Sequence, residues 1–272
     1  HAGISYHMRS WAIDEQPDAQ TVKMILQENK SITHVAMVHS ETTSGILNDV
    51  QSIGRVVKEA GATFIVDAMS SFAGVDIPVR EWGIDCIISS ANKCIQGVPG
   101  FAYVIVRKDL LAACEGNARS LALDLYDQWK TMNVDGKWRF TSPTHVVLAF
   151  AKAMEELEAE GGITARHERY AANEKLLRKK LSALGFVPFL EQEVQGPIIT
   201  TFYYPAGYNF SFQEMYDYIK ERGYILYPGK TTKAETFRVG NIGEIYQDDI
   251  DKVAGLLSDF LDSKRNLQAK GA

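Results

Sequence analysis

The sequence is poor in cysteine and has no long hydrophobic run. Its three cysteines (Cys86, Cys94 and Cys114) are an odd number without metal-ligand spacing, which favours a reducing, cytoplasmic setting without a metal site. No stretch reaches the roughly 18 apolar residues of a membrane-spanning helix. The opening residues, HAGISYHMRSW, contain no apolar signal-peptide core. We therefore expect no membrane partner.

An excess of positive charge is also absent. Lys and Arg number 29 against 34 Asp and Glu, so the net charge is −5. The most basic segment, RHERYAANEKLLRKK (166–180), carries Leu176 and Leu177 at helical spacing with the following Leu181. That pattern indicates the solvated face of an amphipathic helix rather than a nucleic-acid site. Nucleic acid is therefore not an expected partner.

The first half alternates short apolar runs with helical periodicity. A strand, a helix and a strand within this length form a βαβ unit, which predicts an α/β fold with a mainly parallel sheet. The predicted helix is NDVQSIGRVVKEAG, which ends at Gly61. The predicted strands are THVAMVHS (33–40), ATFIVDA (62–68), CIISS (86–90) and FAYVIVR (101–107).

Polar residues follow three of these strands. They occupy segments 39–45, 67–71 and 89–93. In open α/β sheets, ligands bind beyond the carboxyl ends of the strands. We therefore expect the three segments to meet in one crevice.

The second half has a different character. Strand patterns at PIITTFYYP and TFRVGNIG are separated by helical patterns, one of which begins with a capping box from Ser211 to Glu214. We expect residues 141–272 to form a smaller α+β domain packed on a large domain of residues 1–140. The predicted boundary lies in FTSPTH, between Trp138 and Thr144.

The start of the chain is unusual for such a domain. The first strand signal begins only at Thr33, and no strand or helix cap is evident before it. We therefore expect that an N-terminal part of the large domain is absent from this sequence.

Lys93 and Asp67 are the residues most suggestive of chemistry. An amine after a strand, near apolar residues, loses solvation, which favours the neutral form that attacks aldehydes; the alternative is a surface lysine. Asp67 ends FIVD, where a buried carboxylate would need a partner. An acid beneath a heterocyclic nitrogen keeps it protonated, as a pyridoxal cofactor requires; the alternative is an N-cap. On neighbouring strand ends, the two fit one cofactor.

These motifs resemble a known family. VDAMSSFAG followed by SSANKCIQGVPGF is similar to the class V, fold type I pyridoxal-phosphate aminotransferases. HSETTSG, NKCIQGVPGF and FTSPTH resemble, within that family, the enzymes that transfer the amino group of 2-aminoethylphosphonate to pyruvate. The resemblance implies pyridoxal 5′-phosphate as the cofactor and phosphonoacetaldehyde and L-alanine as products. It also implies a homodimer.

The resemblance also implies roles for residues around the cofactor ring. Lys93 would join covalently to the cofactor and move a proton between cofactor and substrate. Asp67 would pair with the pyridinium nitrogen, and Met69 would lie against the ring face. Thr43 would hydrogen-bond near the phenolic oxygen, with Glu41 supporting its loop.

Further roles concern phosphate and substrate. By the resemblance, Asn92 would reach the cofactor phosphate, and Thr141 would donate to the phosphate of the neighbouring subunit. Arg238 would bind the acidic end of the substrate, since its planar donor fork matches carboxylate or phosphonate; a structural ion pair is the alternative for Arg238. Lys230 is either a second charge in that pocket or a solvated lysine.

Other reactive residue types have plainer explanations. His39 and His145 have no carboxylate or cysteine partner at metal spacing, which favours satisfied polar histidines. The resemblance makes Cys94 a packed neighbour of Lys93 rather than a nucleophile. Ser70 and Ser71 either contact the cofactor or cap a turn.

The sequence departs from the family at its front. Relatives have a glycine-rich phosphate-binding loop at a helix N-terminus and an earlier aromatic residue that stacks on the ring, and neither is evident here. Two alternatives therefore stay open. One is a sister class V enzyme, an alanine–glyoxylate or serine–pyruvate aminotransferase. The other is a catalytically incomplete fragment that acts only in subunit pairing.

Overall fold

The apolar and helical patterns of the sequence become regular elements in the structure, a computed structural model that describes residues 3–206, 210–229, 231 and 234–271. The helices are α1 (Ala19–Glu28), α2 (Val50–Glu59), α3 (Lys108–Ala112), α4 (Leu125–Asp135), α5 (Thr144–Glu160), α6 (Gly162–Ala183), α7 (Phe212–Lys220) and α8 (Gln247–Gly271). The strands are β1 (His34–Val38), β2 (Ser40–Glu41), β3 (Ile46–Leu47), β4 (Thr63–Asp67), β5 (Cys86–Ser90), β6 (Ala102–Val106), β7 (Ile199–Tyr203), β8 (Tyr227–Pro228) and β9 (Thr236–Gly240).

The first sheet has the strand order β1-β4-β5-β6. Strand β4 pairs in parallel with both β1 and β5, and Asp67 lies opposite Val38 and Ile88. Strand β6 runs antiparallel to β5. The connection from Ser90 to Ala102 is shorter than the crossover that a parallel pair needs, so the chain turns back beside β5. The predicted mainly parallel α/β sheet is confirmed, with an antiparallel fourth strand.

Helices α1 and α2 cover one face of this sheet. Helix α2 begins at Asp49, whose Oδ1 accepts a hydrogen bond from Ser52 N at 2.9 Å. Helix α1 begins the same way, with Asp18 Oδ1 accepting from Thr21 N at 2.7 Å. The expectation that no helix cap precedes the first strand is therefore wrong. Leu26 of α1 and Val50, Ile53 and Val57 of α2 share one apolar core with Phe64 and Val66 of β4.

The second sheet is antiparallel, in the order β7-β9-β8. Helices α6, α7 and α8 bury their apolar stripes against it, in a core that includes Leu177, Phe202, Met215, Phe237 and Leu257. The cap of α7 is half of the predicted box. Ser211 Oγ accepts from Glu214 N at 3.4 Å, but the Glu214 carboxylate accepts from Lys264 Nζ at 2.6 Å.

Helix α5 connects these two parts of the chain. It begins at Thr144, and its Ala153 and Leu157 pack against Ala73 and Ile95 below the turn after β5. The division at residues 140 and 141 stays a prediction. Within the residues described, none of the helices combines the length and apolar character that crossing a bilayer requires.

Candidate active site

The carboxyl ends of β1, β4 and β5 bring three loops together. His39 N donates to Asp67 O at 2.8 Å, and Ala68 N donates to Ile88 O at 2.9 Å. The segments that follow these strands therefore lie side by side at one edge of the sheet. The predicted meeting of the three polar segments is confirmed.

Asp67 is half-buried at the end of β4. Its Oδ1 accepts a hydrogen bond from Met69 N at 2.8 Å, which holds the turn after the strand. Among the residues described, no side chain or amide donates to Oδ2. One carboxylate oxygen thus fixes the turn, as in the capping alternative, and the other remains for a ligand.

Lys93 lies half-buried in the turn after β5. Its carbonyl accepts from Gln96 N at 2.8 Å, and Ala91 O accepts from Gly97 N at 2.9 Å. Gln96 has a φ of +66°, a left-handed conformation that is unusual outside glycine. In the described part of the chain, nothing forms a hydrogen bond or ion pair with Lys93 Nζ, so the amine is available for chemistry.

Side chains of the β5 segment bind the backbone of the loop after Asp67. Ser89 Oγ donates to Ala68 O at 3.3 Å, and Ser90 Oγ donates to Met69 O at 3.5 Å. Cys94 Sγ donates to Ser70 O at 3.1 Å. These bonds place the acid-bearing loop against the amine-bearing turn.

Cys94 and His39 have structural roles in this arrangement. Burial raises the pKa of the Cys94 thiol to about 12, so it remains protonated and packed, as predicted. His39 Nδ1 hydrogen-bonds Ser71 Oγ at 2.9 Å, and burial lowers the His39 pKa to about 4. The prediction that His39 is a satisfied polar histidine is confirmed.

Arg238 comes from the second sheet to the same place. It is only 5% exposed, and its Nη1 donates to Thr42 O at 2.8 Å and its Nε to Pro228 O at 3.0 Å. Glu41 Oε1 accepts from Thr43 N at 2.8 Å, so the loop beside Arg238 has the support expected of Glu41.

The partners of Arg238 are carbonyl groups. The described residues include no carboxylate within ion-pair distance of its guanidinium, which argues against the structural ion-pair alternative. Burial lowers the pKa of Arg238. The charge of Glu41, beyond ion-pair distance, acts in the opposite direction. A buried guanidinium whose direct partners are carbonyl groups is suited to bind an anion. Lys230, the second predicted cation, lies outside the described residues.

Of the three remaining predicted residues, two lie beside the site and one lies in an exposed loop. Met69 and Asn92 are half-buried beside Asp67 and Lys93 respectively. Thr141 is exposed in the loop before α5. No contact within one chain tests what Met69, Asn92 or Thr141 does, so their roles stay predictions. Among the described residues, no group of acidic, histidine and cysteine side chains could hold a metal ion.

Sequence reasoning missed a polar cluster on α6. The segment expected to present a solvated face does bury Leu177 and Leu181. It also buries Arg166, which is 2% exposed, and Tyr170, which is fully buried. The predicted amphipathic helix is confirmed, but its basic face is only partly solvated, because the arginines of its first turns pair with Glu160 at the end of α5.

The described donor set fits a pyridoxal cofactor. A free carboxylate oxygen, a free amine and an anion-binding guanidinium lie on neighbouring segments. The carboxylate oxygen suits the ring nitrogen of the cofactor, and the amine suits its aldehyde. The guanidinium suits an acidic substrate. The positions of Asp67 and Lys93 at neighbouring strand ends were the sequence signal that predicted this site.

Comparisons with known proteins extend this result. The family model described as Aminotransferase class-V matches residues 5–239. The 2-aminoethylphosphonate–pyruvate transaminase of Lysinibacillus sphaericus (strain C3-41) is 54% identical over 253 residues, which cover 93% of this chain and 69% of that protein. The protein of the same name in Bacillus thuringiensis (strain Al Hakam) is 54% identical over 233 residues, 85% of this chain and 64% of its own length.

Solved structures share the architecture. The pyridoxamine–pyruvate aminotransferase of Mesorhizobium loti superposes with a TM-score of 0.83 at 24% identity, over 92% of this chain and 65% of that one. An alanine–glyoxylate aminotransferase from Nostoc sp. gives 0.80 at 21% identity, over 91% and 66%. At these identities the likeness concerns the fold. In each comparison, this chain spans about two thirds of the relative.

Proposed function

Because this chain belongs to the class-V aminotransferase family, we propose that it serves in the pyridoxal-phosphate-dependent transfer of the amino group of 2-aminoethylphosphonate to pyruvate. The products would be phosphonoacetaldehyde and L-alanine. The family match confirms the predicted fold type I architecture, cofactor and enzyme class. The observation that carries the choice of substrates is the 54% identity, over 93% of this chain, to a protein named for this reaction.

The geometry of Arg238 supports an acidic substrate. Its guanidinium is buried, bonds two carbonyl oxygens and has no carboxylate of the described residues within ion-pair distance. A phosphonate and a carboxylate both accept two parallel hydrogen bonds from such a fork. In this proposal Arg238 binds the phosphonate of the amino donor and then the carboxylate of pyruvate.

Lys93 and Asp67 have complementary tasks in the proposal. The bound cofactor supplies an electron sink for the carbon that loses its proton. The Lys93 amine takes that proton from the amino-bearing carbon and returns it during transfer. Asp67 Oδ2 keeps the ring nitrogen protonated, while its Oδ1 keeps the turn in place through Met69 N.

The remaining contacts complete the cofactor site. We place Met69 against the ring, Thr43 near the phenolic oxygen and Asn92 at the phosphate. Thr141 would reach the phosphate of the neighbouring subunit, which makes the working unit a homodimer. All three cysteines are free thiols, which supports the proposed cytoplasmic setting.

An amino-donor panel tests the substrates. The purified chain, supplied with pyridoxal phosphate, would be assayed for L-alanine formation from pyruvate with 2-aminoethylphosphonate or serine as the donor, and for glycine formation from glyoxylate with alanine as the donor. We expect 2-aminoethylphosphonate to give the highest kcat/KM. A preference for serine, or for alanine with glyoxylate, would instead indicate a sister class V activity.

Trapping with borohydride tests the cofactor site separately. Reduction of the cofactor-loaded chain, followed by mass spectrometry, should place the label on Lys93, and Lys93→Ala should carry none. A chain that develops no cofactor-dependent absorption band would favour the pairing-only fragment.

A further inference from the structure

One face of α6 lies between the Lys93 turn and the segment after β9. A double-glycine bend, with φ of +112° at Gly161 and +78° at Gly162, separates α5 from α6. This bend directs Glu160, the last residue of α5, back onto the first turns of α6. Glu160 Oε2 accepts from Arg166 Nε at 2.8 Å, and Glu160 Oε1 accepts from Arg169 Nε at 2.8 Å.

Glu160 is the anion of this cluster and pairs with two cations, Arg166 and Arg169. Burial opposes the charge of Glu160, but hydrogen bonds from the two arginines outweigh burial and lower its pKa. Arg166, at 2% exposure, has its charge paired. The cluster therefore holds its geometry as an ion-pair network rather than as isolated buried charges.

The same face binds the turn that carries Lys93. Arg166 Nη1 donates to Cys94 O at 2.8 Å and to Ile95 O at 3.3 Å. Gln96, the next residue, has the left-handed backbone and donates from Nε2 to the Tyr170 hydroxyl at 2.7 Å. The three residues after Lys93 are thus each bound by α6.

The same face of α6 also binds the segment that follows Arg238, through Arg169 and Tyr170. Gly243 N donates to the Tyr170 hydroxyl at 3.2 Å, and Asn241 Nδ2 donates to Tyr170 O at 3.1 Å. Arg169 Nη1 donates to Gly243 O at 2.7 Å and to Ile245 O at 3.1 Å. This segment begins directly after β9, the strand that holds Arg238.

We propose that Glu160, Arg166, Arg169 and Tyr170, here called the α6 brace, set the distance between Lys93 and Arg238. The proposal rests on the function proposed above, in which Lys93 carries the cofactor and Arg238 binds the acidic end of the substrate. Arg166, Arg169 and Tyr170 are spaced i, i+3 and i+4, so they share one helix face. They are positioning residues, because the hydrogen bonds given above reach the flanking segments and one another rather than Lys93 Nζ or the Arg238 side chain.

A fixed distance between amine and guanidinium selects the length of the substrate. 2-Aminoethylphosphonate places two carbons between its amino and phosphonate groups, and 3-aminopropylphosphonate places three. A site held at one length favours the donor that spans it, since misplacement of a reacting group by about 1 Å costs much of the rate. Loosening the brace should therefore reduce discrimination between the two donors.

Tyr170→Phe is the sharpest test, because it removes the hydroxyl that bonds both segments and retains the buried ring. We expect kcat/KM for 2-aminoethylphosphonate to fall about tenfold, and that for 3-aminopropylphosphonate to change less than about twofold. Borohydride labelling of Lys93 should persist. Tyr224→Phe is the matched control, since its hydroxyl bonds Asp249 Oδ1 in α8 and none of the four brace residues, and it should preserve the ratio between donors.

Amide hydrogen exchange on the cofactor-free chain gives a readout that does not depend on activity. In Tyr170→Phe, exchange should accelerate in residues 91–97 and in residues 241–245 together. Arg166→Lys keeps the charge without the planar fork, and should accelerate exchange in 91–97 less than Arg166→Met does.

The outcomes are distinct. An equal fall in kcat/KM for the two donors, or faster exchange in one segment alone, would overturn the brace. A wild-type chain inactive with both donors would contradict the proposed function, and the exchange measurement would still decide whether α6 couples the two segments.

Discussion

At the scale of single residues, the two carboxylate oxygens of Asp67 have different roles. One accepts from Met69 N, and the other has no donor among the described residues. An asparagine in its place would keep an oxygen for Met69 N and lose the negative charge. Local structure and charge can therefore be separated by one substitution.

For Asp67→Asn we expect kcat to fall on the order of 100-fold or more, because the ring nitrogen loses the charge that keeps it protonated. Steady-state kinetics with the preferred donor would measure this. Thermal unfolding should change little, since the turn is retained. Near-normal turnover in the variant would contradict the role given to Asp67.

His39 makes the stability of the fold depend on pH. Its pKa is about 4 in the folded chain and near the ordinary 6.5 in the unfolded chain. The unfolded state therefore binds a proton first as the pH falls below 6.5. The stabilisation is complete above that value and is lost progressively towards pH 4.

We expect the free energy of unfolding to fall by about 2 kcal/mol between pH 7.5 and pH 5 because of His39. Urea denaturation at the two pH values would measure it. In His39→Gln this part of the pH dependence should vanish, whereas in His145→Gln, a change at an exposed histidine, it should persist. Equal slopes in wild type and His39→Gln would refute the assignment.

At the scale of elements, the turn after β5 depends on close backbone contact. A Cβ on Gly97 would lie 2.6 Å from Ala91 O, a backbone atom that cannot move away without opening the turn. A Cβ on Gly255 in α8 would meet no atom within 4 Å apart from its own residue, its chain neighbours and the nearby backbone of its helix. The two glycines therefore form a matched pair for substitution.

Gly97→Ala should destabilise the chain by about 1–3 kcal/mol and reduce borohydride labelling of Lys93, because the turn must shift. Gly255→Ala should instead stabilise α8 by up to about 1 kcal/mol. Chemical denaturation and mass spectrometry would measure both effects. Full labelling of Lys93 in Gly97→Ala would show that the turn tolerates the change.

The elements also show what sequence patterns can predict. Strand β5 occupies the residues of the predicted CIISS strand, and β4 lies within ATFIVDA, because short apolar runs of this kind are typical of strands that are buried in an α/β sheet. Helix α1 was missed, although Asp18 caps it and Leu26 is buried on its face, because the strand signals that guided the prediction begin only at Thr33.

Part of the site was predicted from the sequence and part was not, and the difference lies in whether the signal is local. Asp67 and Lys93 were identified from strand ends, which are local signals. The α6 brace was not, since Arg166 lies 72 residues from Cys94 in sequence and its arginine pattern looks like a solvated face. Contacts between distant segments leave no local periodicity, so only the folded chain shows them.

At the scale of the whole molecule, the proposed homodimer predicts that Thr141 acts on the neighbouring subunit. Mixed dimers would be prepared from one Lys93→Ala chain and one Thr141→Val chain. In such a dimer, the intact Lys93 and the intact Thr141 meet at one site if Thr141 acts across the interface. Activity should then exceed that of either parent homodimer, and a mixture no more active than its parents would contradict the arrangement.

Several of the hydrogen bonds that hold separate segments of this molecule together run from a side chain to a main-chain oxygen. Cys94 bonds Ser70 O, Arg166 bonds Cys94 O and Arg238 bonds Thr42 O. A carbonyl is present whichever amino acid occupies its position. The identity of the residues in the acid-bearing loop, including Met69 beside the proposed ring, can therefore drift without loosening its attachment. Substrate preference in this scaffold is free to diversify at the loops while the frame that aligns them stays unchanged.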